Sequence, residues 1–164
     1  MTINEFPVWK TIKIGTSLKT ADDFRNSLRQ AGFEVTDWAN DMLGREAFTT
    51  SDTEKDVDLV VVSVAELGFK DGADRADIYM RAWQLGLWLC PAEVGPQLRL
   101  QYTDQPKDEV LLVAMEPILD SCGHLTVFFV EEQGGSDLLL NARAGHATSF
   151  WWGRDCRWVF LRRK

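Results

Sequence analysis

Residues 66–102 read ELGFKDGADRADIYMRAWQLGLWLCPAEVGPQLRLQY, and this stretch decides the fold. Turn and cap residues come first, and the amphipathic segment Arg75–Leu85 then predicts a helix that ends at Gly86. Residues Gln97–Tyr102 alternate between polar and apolar, which predicts an antiparallel strand with one face toward solvent. The stretch contains no catalytic or cofactor signature, so its chemistry must be judged from single residues.

The best candidate for a site is the loop between Pro91 and Pro96, which carries Glu93. We expect this loop to be stiff, because each proline fixes its own φ angle. Arg99, on the wet face of the predicted strand, is expected to pair with Glu93 as a catalytic couple. Glu66 and Glu116 lie at or near the ends of other predicted strands. A cluster of these two glutamates with Glu93 and Arg99 would suit general acid–base catalysis or metal binding through oxygen. The alternative is that Glu93 only caps backbone amides or forms an ion pair.

The sequence on either side predicts an α+β fold, in which a helical N-terminal half packs on a mostly antiparallel sheet. Thr20, followed by Asp23, predicts a capped helix that ends at Gly32. A second short helix is predicted over DWANDML, and the β-branched run Val57–Ala65 predicts a central strand covered on both faces. The C-terminal third is predicted to be all strand, with runs at Val110–Glu116, His124–Glu132, Asp137–Ala142 and Cys156–Arg163.

Length and composition predict a single domain over residues 1–164. Three cysteines without a CxxC spacing predict reduced thiols and a reducing compartment. The first ten residues lack the basic and apolar segments of a signal peptide, and no apolar run is long enough to span a membrane. We therefore predict a cytoplasmic protein without membrane contact. No feature of the sequence predicts an oligomeric state.

The sequence lacks the motifs of several kinds of catalytic, metal-binding and phosphate-binding site. The two histidines, His124 and His146, have no zinc-binding spacing, and no nucleophile elbow surrounds a serine. Cys122 lies close to His124, but a surface position suits this histidine better than a thiolate pair. The glycines at 68 and 72 are not followed by the lysine of a phosphate-binding loop. We predict no metal and no cofactor.

The C-terminal end interleaves aromatic and basic residues, a pattern that can stack bases and follow phosphates. The net charge of −7 argues against nucleic acid as a partner, although a local basic patch can override it. Apolar residues on both faces of Trp158–Leu161 favour a buried last strand instead. Phe150, Trp151 and Trp152 fall in a predicted loop, where aromatic rings commonly make a ligand or protein contact.

Four segments carry a resemblance: VDLVVVSVAELGFKDGA, LCPAEVGPQLRLQY, AMEPI and the closing W-V-F-x-R-R-K. Together they cover much of the chain, which resembles a family of small uncharacterised bacterial proteins. The resemblance implies a stand-alone bacterial domain of about this length, and it brings no activity or site residue with it.

The leading functional hypothesis is a soluble binding or interaction module for a protein partner or a small ligand. Seven tryptophans and nine phenylalanines favour it, since some of these rings are expected to be exposed as binding anchors. One alternative is a hydrolase or transferase with Glu93 as general acid or base and Arg99 as an anion clamp. The other is a nucleic-acid binder that uses the C-terminal basic and aromatic residues.

Overall fold

The computed structural model describes residues 6–145 and 151–163. Within them the α+β prediction is confirmed. The helices are α1 (Ala21–Gln30), α2 (Asp37–Leu43), α3 (Arg75–Gln84) and α4 (Val94–Gln101). The strands are β1 (Lys10–Ile14), β2 (Glu34–Val35), β3 (Lys55–Ser63), β4 (Ala73–Asp74), β5 (Leu87–Trp88), β6 (Val110–Val113), β7 (Ile118–Leu119), β8 (Leu125–Gln133), β9 (Asp137–Ala144), β10 (Trp151–Trp152) and β11 (Arg157–Arg162).

The strands form one large mixed sheet in the order β1–β3–β11–β6–β8–β9–β2. Strand β5 pairs with the end of β11 and β7 pairs with β8, while β4 and β10 form a separate two-stranded sheet. Among the described pairs of strands, β6 with β11 and β2 with β9 are parallel, and the others are antiparallel. Within the described residues, the chain up to Gln101 therefore supplies five strands as well as the four helices.

Helices cover both faces of the large sheet. The register places Trp158 of β11 and Phe129 of β8 on one face, called here the first face, and Phe128 on the opposite, second face. The Tyr79 ring of α3 packs edge-on against Trp158, with 5.7 Å between the ring centroids, so α3 lies on the first face. Phe48, which follows α2, packs against Phe128 in the same way on the second face. Helix α4 also contacts β8 on that second face.

Local signals set the helix boundaries as predicted. The Thr20 side chain accepts from the Asp23 amide, and the Asp23 carboxylate accepts from the Thr20 amide, which completes a capping box at α1. Gly32 follows α1 with φ +85°, a left-handed conformation that suits glycine after a helix. Thr36 caps α2 and Asp74 caps α3 with their side-chain oxygens. The predicted helices over Asp37–Leu43 and near Arg75–Leu85 are thus confirmed.

Strand β3 is confirmed as a doubly covered strand inside the sheet. It pairs antiparallel with β1 on one side and with β11 on the other. Consecutive residues of β3 point to opposite faces, yet Leu59 and Val60 are both buried. The predicted strands of the C-terminal third also form, as β6, β8, β9 and β11.

The predicted strand over Gln97–Tyr102 is wrong, because this segment belongs to α4 and its C-cap. Pro96 is compatible with the helix since it lies in the first turn, where the missing N–H would have no intrahelical acceptor. Leu98 and Tyr102, four residues apart, both face the core. Gly95 is helical as well, and its role is close packing: a Cβ atom there would lie 2.6 Å from the Phe128 ring.

Strand β1 forms one edge of the sheet, and a side chain of α4 lies along it. The Gln101 Oε1 atom accepts a hydrogen bond from the Lys13 amide at 2.9 Å, and its Nε2 atom donates to the Lys13 carbonyl at 2.8 Å. One carboxamide therefore satisfies both outward backbone groups of Lys13. None of the helices in the described ranges is long and apolar enough to cross a membrane.

Candidate functional site

Glu93 lies inside the molecule, at the N-cap position of α4, with 0% of its surface exposed. Its Oε2 atom accepts hydrogen bonds from the Gly15 amide at 2.8 Å and from Gln97 Nε2 at 3.0 Å. Its Oε1 atom accepts from the Ser51 amide at 2.8 Å. The carboxylate thus joins the end of β1, the connection before β3 and the start of α4.

Arg99 is also buried, and its partners differ from those of Glu93. Its Nη1 atom donates to Gln105 Oε1 at 2.7 Å and to the carbonyls of Glu131 and Leu139 at 3.3 Å. Its Nη2 atom donates to the Tyr102 carbonyl. Burial lowers the pKa of Arg99 to about 10, so the side chain is charged at neutral pH. The predicted Glu93–Arg99 ion pair is therefore wrong, because each group forms its hydrogen bonds with separate neighbours.

The other two predicted glutamates lie at the surface. Glu66 follows β3, where its carboxylate accepts from the Ser63 amide at 3.0 Å, and Glu116 is exposed between β6 and β7. They do not join Glu93, which is enclosed. In the part of the chain that the structure describes, no three His, Cys, Asp or Glu side chains are arranged to hold a metal ion.

Of the predicted aromatic cluster, Phe150 lies outside the described residues, as does His146. Trp151 and Trp152 form β10 rather than a loop, and they pair with β4. Trp151 is 63% exposed, and its Nε1 atom donates to the Asp71 carbonyl at 2.9 Å. Trp152 is buried against Trp158, with 5.0 Å between the ring centroids. The two neighbouring tryptophans therefore occupy opposite environments.

A surface groove with a volume of about 630 Å³ lies next to β10. Its lining comes from Arg143 of β9, from residues 153–157 at the connection of β10 to β11, and from four residues around the start of β6, which are Asp108, Glu109, Val110 and Leu112. It opens on the first face of the sheet, since Leu112 neighbours Trp158 in the register. We call it the arginine groove after Arg143, Arg154 and Arg157.

The wall of the arginine groove is held by a chain of hydrogen bonds that begins at Arg99. Gln105, which accepts from Arg99, donates to the Glu109 carbonyl at 3.2 Å. The Glu109 carboxylate accepts from the Tyr102 hydroxyl at 2.7 Å and forms an ion pair with Arg157 at 3.0 Å. Burial and the adjacent Glu109 carboxylate raise the pKa of Tyr102. Arg99 thus supports the groove from behind without lining it.

Several large apolar side chains are exposed elsewhere, as expected from the aromatic content. Trp38 on α2, Trp83 on α3 and Trp88 on β5 are each about half exposed. Met80 and Trp83 point outward from α3, on the side opposite to the buried Ile78 and Ala82. These positions are spread over several elements, so they do not by themselves define one binding patch.

Comparison with protein-family models, with curated proteins and with solved structures finds no match. The resemblance to small bacterial proteins therefore stays a prediction. The function must be inferred from the chemistry of the groove itself.

Proposed function

We propose that this protein is a ligand-binding module and that the arginine groove is its working surface. The observation that supports the proposal is that the groove combines the volume of a small-molecule site with a lining of apolar and charged residues. Small-molecule sites commonly have volumes of about 300–1,000 Å³, with apolar walls and a few convergent polar groups. The groove has a volume of about 630 Å³, and its lining combines Val110, Leu112 and Cys156 with three arginines.

The alternative of a hydrolase or transferase has less support, because its proposed catalytic residues, Glu93 and Arg99, are buried. A general acid or base must come within hydrogen-bond reach of the substrate, directly or through one water. Glu93 is enclosed and already accepts three hydrogen bonds from N–H donors. We therefore propose structural roles for both members of the predicted catalytic couple: Glu93 joins three segments, and Arg99 supports the groove wall.

The test of the binding function is a groove-filling variant, Val110→Trp. Val110 lines the groove and is 41% exposed, so a larger side chain there blocks the site without entering the core. The matched control is Leu125→Trp on β8, where the replaced side chain is 40% exposed. Thermal-shift screening of the wild type against organic acids, phosphate esters, neutral aromatics and sugars identifies compounds that raise the unfolding midpoint.

We expect Val110→Trp to weaken the selected compounds at least tenfold and Leu125→Trp to leave their affinity unchanged. Equal affinity in both variants would show that the compounds bind outside the groove. A flat screen at millimolar concentration would count against small-molecule binding and direct attention to a protein partner.

Single-stranded nucleic acid is the second candidate ligand. It is favoured by the presence of Arg143, Arg154 and Arg157 in the lining of one groove, and Arg154 is three residues along the chain from the exposed Trp151 ring. Such binding would combine base stacking with phosphate contacts and would weaken steeply with salt. Fluorescence anisotropy with a labelled oligothymidine at several salt concentrations tests it. Absence of binding at low salt would reject this candidate.

Four broader predictions accompany the proposal. The chain is expected to act as a single domain over residues 1–164 and to reside in the cytoplasm, where its three free cysteines would stay reduced. The helical N-terminal half is expected to serve as the scaffold for the C-terminal strands that line the groove. The partner is expected to be a small ligand or a protein, without a cofactor.

A further inference from the structure

We propose that the outward face of α3 binds a second copy of this chain, with the two α3 helices packed antiparallel about a twofold axis. No residue of α3 lines the arginine groove, so this surface is separate from the proposed ligand site. Self-association through α3 therefore goes beyond the proposed function and can hold or fail independently of it.

Helix α3 carries apolar side chains on its outer face as well as on its inner face. The inner face buries Ile78 and Ala82. Ala76, Met80 and Trp83 are exposed, and their spacing of four and three residues places them in one stripe along the outer face. This is the spacing with which one helix packs along another. The outer face of α3 therefore has the pattern of a helix–helix contact that the chain itself does not supply.

The exposure of large apolar side chains is greatest on this side of the molecule. Among the described residues the three highest values are 63% for Trp151, 61% for Trp83 and 58% for Met80. Trp151 lies beside the start of α3, because it pairs with Asp74, the N-cap of the helix. Tryptophan and methionine are enriched where proteins contact one another. A partner seated along α3 would cover apolar surface that the other exposed side chains, scattered over the fold, do not offer.

The stripe is complementary to its own reversed copy in the size of its side chains. In an antiparallel pair centred near Met80, the twofold axis places this residue opposite Met80 of the second copy. The Trp83 ring of one copy then falls between Ala76 and Met80 of the other. Because Ala76 is small, it leaves room for that ring. A large side chain at one end of the stripe thus meets a small one at the other end.

The polar residues beside the stripe also match when the helix is reversed. Asp77 and Gln84 are exposed and lie seven residues apart, so they fall on the same side of the stripe. Neither side chain forms a hydrogen bond with any of the described residues. The antiparallel arrangement places Asp77 of each copy opposite Gln84 of the other, a carboxylate acceptor facing a carboxamide donor. This polar match favours a second copy over an unrelated apolar partner.

The size of the surface indicates a reversible dimer. Helix α3 has ten residues, so its length is about 15 Å. Interfaces that bury less than about 1,200 Å² in total belong to weak or transient complexes. We therefore expect monomers at low concentration and dimers as the concentration rises.

Sedimentation velocity over a range of concentrations up to millimolar tests the self-association. The dimer fraction of the wild type should rise with concentration, and Trp83→Glu should raise the dissociation constant by about tenfold. Trp38→Glu is the matched control, because it replaces a tryptophan of similar exposure on another helix, α2, and it should leave the constant unchanged. A wild type that stays monomeric throughout would overturn the proposal, as would equal weakening by both variants.

Variants of Met80 test the twofold axis. Met80→Lys and Met80→Glu should each weaken the dimer, because like charges would face each other across the axis. An equal mixture of the two variants should associate more tightly than either variant alone, since unlike charges then meet. A mixture that shows no recovery would overturn the antiparallel arrangement.

Ala76→Trp separates a specific contact from general adhesion of apolar surface. The new ring would occupy the space that Trp83 of the second copy needs, so the dimer should weaken although the apolar area increases. Tighter association of this variant would overturn the proposed fit. Thermal unfolding of each variant checks that the fold is kept, as expected from the exposure of every substituted position.

Discussion

The Oε2 atom of Glu93 accepts a hydrogen bond from the backbone amide of Gly15 at 2.8 Å, although the two residues are 78 positions apart in the chain. Gly15 has φ +69°, and a Cβ atom there would lie 2.0 Å from the Thr53 carbonyl oxygen. Glycine is therefore required at the end of β1 for the chain to pass close to this connection. The glutamate that the sequence marks as a catalytic candidate is the acceptor for that turn.

Glu93→Gln should destabilise the protein. Both carboxylate oxygens of Glu93 accept from N–H donors, whereas a glutamine side chain has only one oxygen. Its NH2 group would therefore face either the Ser51 amide or the Gly15 amide and Gln97 Nε2, which are donors themselves. An unsatisfied buried polar group costs about 1–3 kcal/mol, and we expect a loss of about 2 kcal/mol in the free energy of unfolding in urea. Glu66→Gln at the surface is the control and should change it by less than about 0.5 kcal/mol. Unchanged stability with lost ligand binding would instead indicate a direct role for Glu93.

Gly95→Ala should also destabilise, against the usual helix preference for alanine. The added methyl group would lie 2.6 Å from the Phe128 ring, so α4 or the ring would have to move. Overpacking of this kind costs about 1–3 kcal/mol. Gly153→Ala is the control, because open space surrounds that position. Thermal unfolding of both variants measures the difference, and a stabilised Gly95→Ala would show that the helix does not approach β8 so closely.

Arg99→Lys should be poorly tolerated despite its conserved charge. The guanidinium donates in several directions, to a side chain and to three backbone carbonyls, which one ammonium group cannot reach together. We expect a loss of about 2–3 kcal/mol in unfolding free energy, since buried carbonyls and Gln105 would lose their donor.

Arg29→Lys on the exposed side of α1 is the matched control for this change. The Arg99 variant should also weaken the binding of groove ligands, because the chain through Gln105 to Glu109 would be interrupted. Full stability of Arg99→Lys would contradict the supporting role assigned to Arg99.

Asp120→Asn should reveal a pH-dependent contribution to stability. Burial opposes ionisation of Asp120, but the amides of His124 and Cys122 donate to its carboxylate at 2.8 and 2.9 Å and hold its pKa below the usual value. A carboxyl group with a lowered folded-state pKa stabilises fully above its unfolded pKa of about 4 and loses this effect as the pH falls through the folded-state value.

The variant should therefore be about 1–2 kcal/mol less stable than the wild type at pH 7, and the gap should narrow below about pH 4. Urea unfolding at both pH values measures it, with the fully exposed Asp155→Asn as control. A gap that is constant with pH would show that charge is not what Asp120 contributes.

Much of the fold follows from local signals in the sequence. The capping box at Thr20 and Asp23 and the β-branched run of β3 determine their elements almost alone, because their interactions are local or depend on burial of both strand faces. The segment Gln97–Tyr102 is different, since its alternation of polar and apolar residues resembles a strand. Gln97 and Arg99 are buried polar residues, and their partners come from Thr16, Glu93, Gln105 and two strands of the sheet. Such tertiary contacts override the pattern, and no local rule predicts them.

The candidate site was harder to predict for a related reason. The basic residues Arg143, Arg154 and Arg157 stand out near the C-terminal end, but the segment 108–112 carries no functional signature. These residues meet because β11 runs parallel to β6, a pairing between strands about 45 residues apart that only the complete topology specifies. Conversely, the glutamate and arginine of residues 93–99 attract attention by their charge, and burial gives them structural partners.

The side-chain carboxamide of Gln101 on α4 binds the backbone of Lys13 on β1, and this contact affects how one molecule meets another. An outer strand with free N–H and C=O groups is a template on which a second chain can add, and sheets that lack protection there tend to aggregate. At Lys13 both groups are already occupied by the Gln101 side chain. An incoming strand would have to displace α4's own side chain before it could pair. At this residue of β1, a side chain of α4 therefore opposes pairing with a second chain.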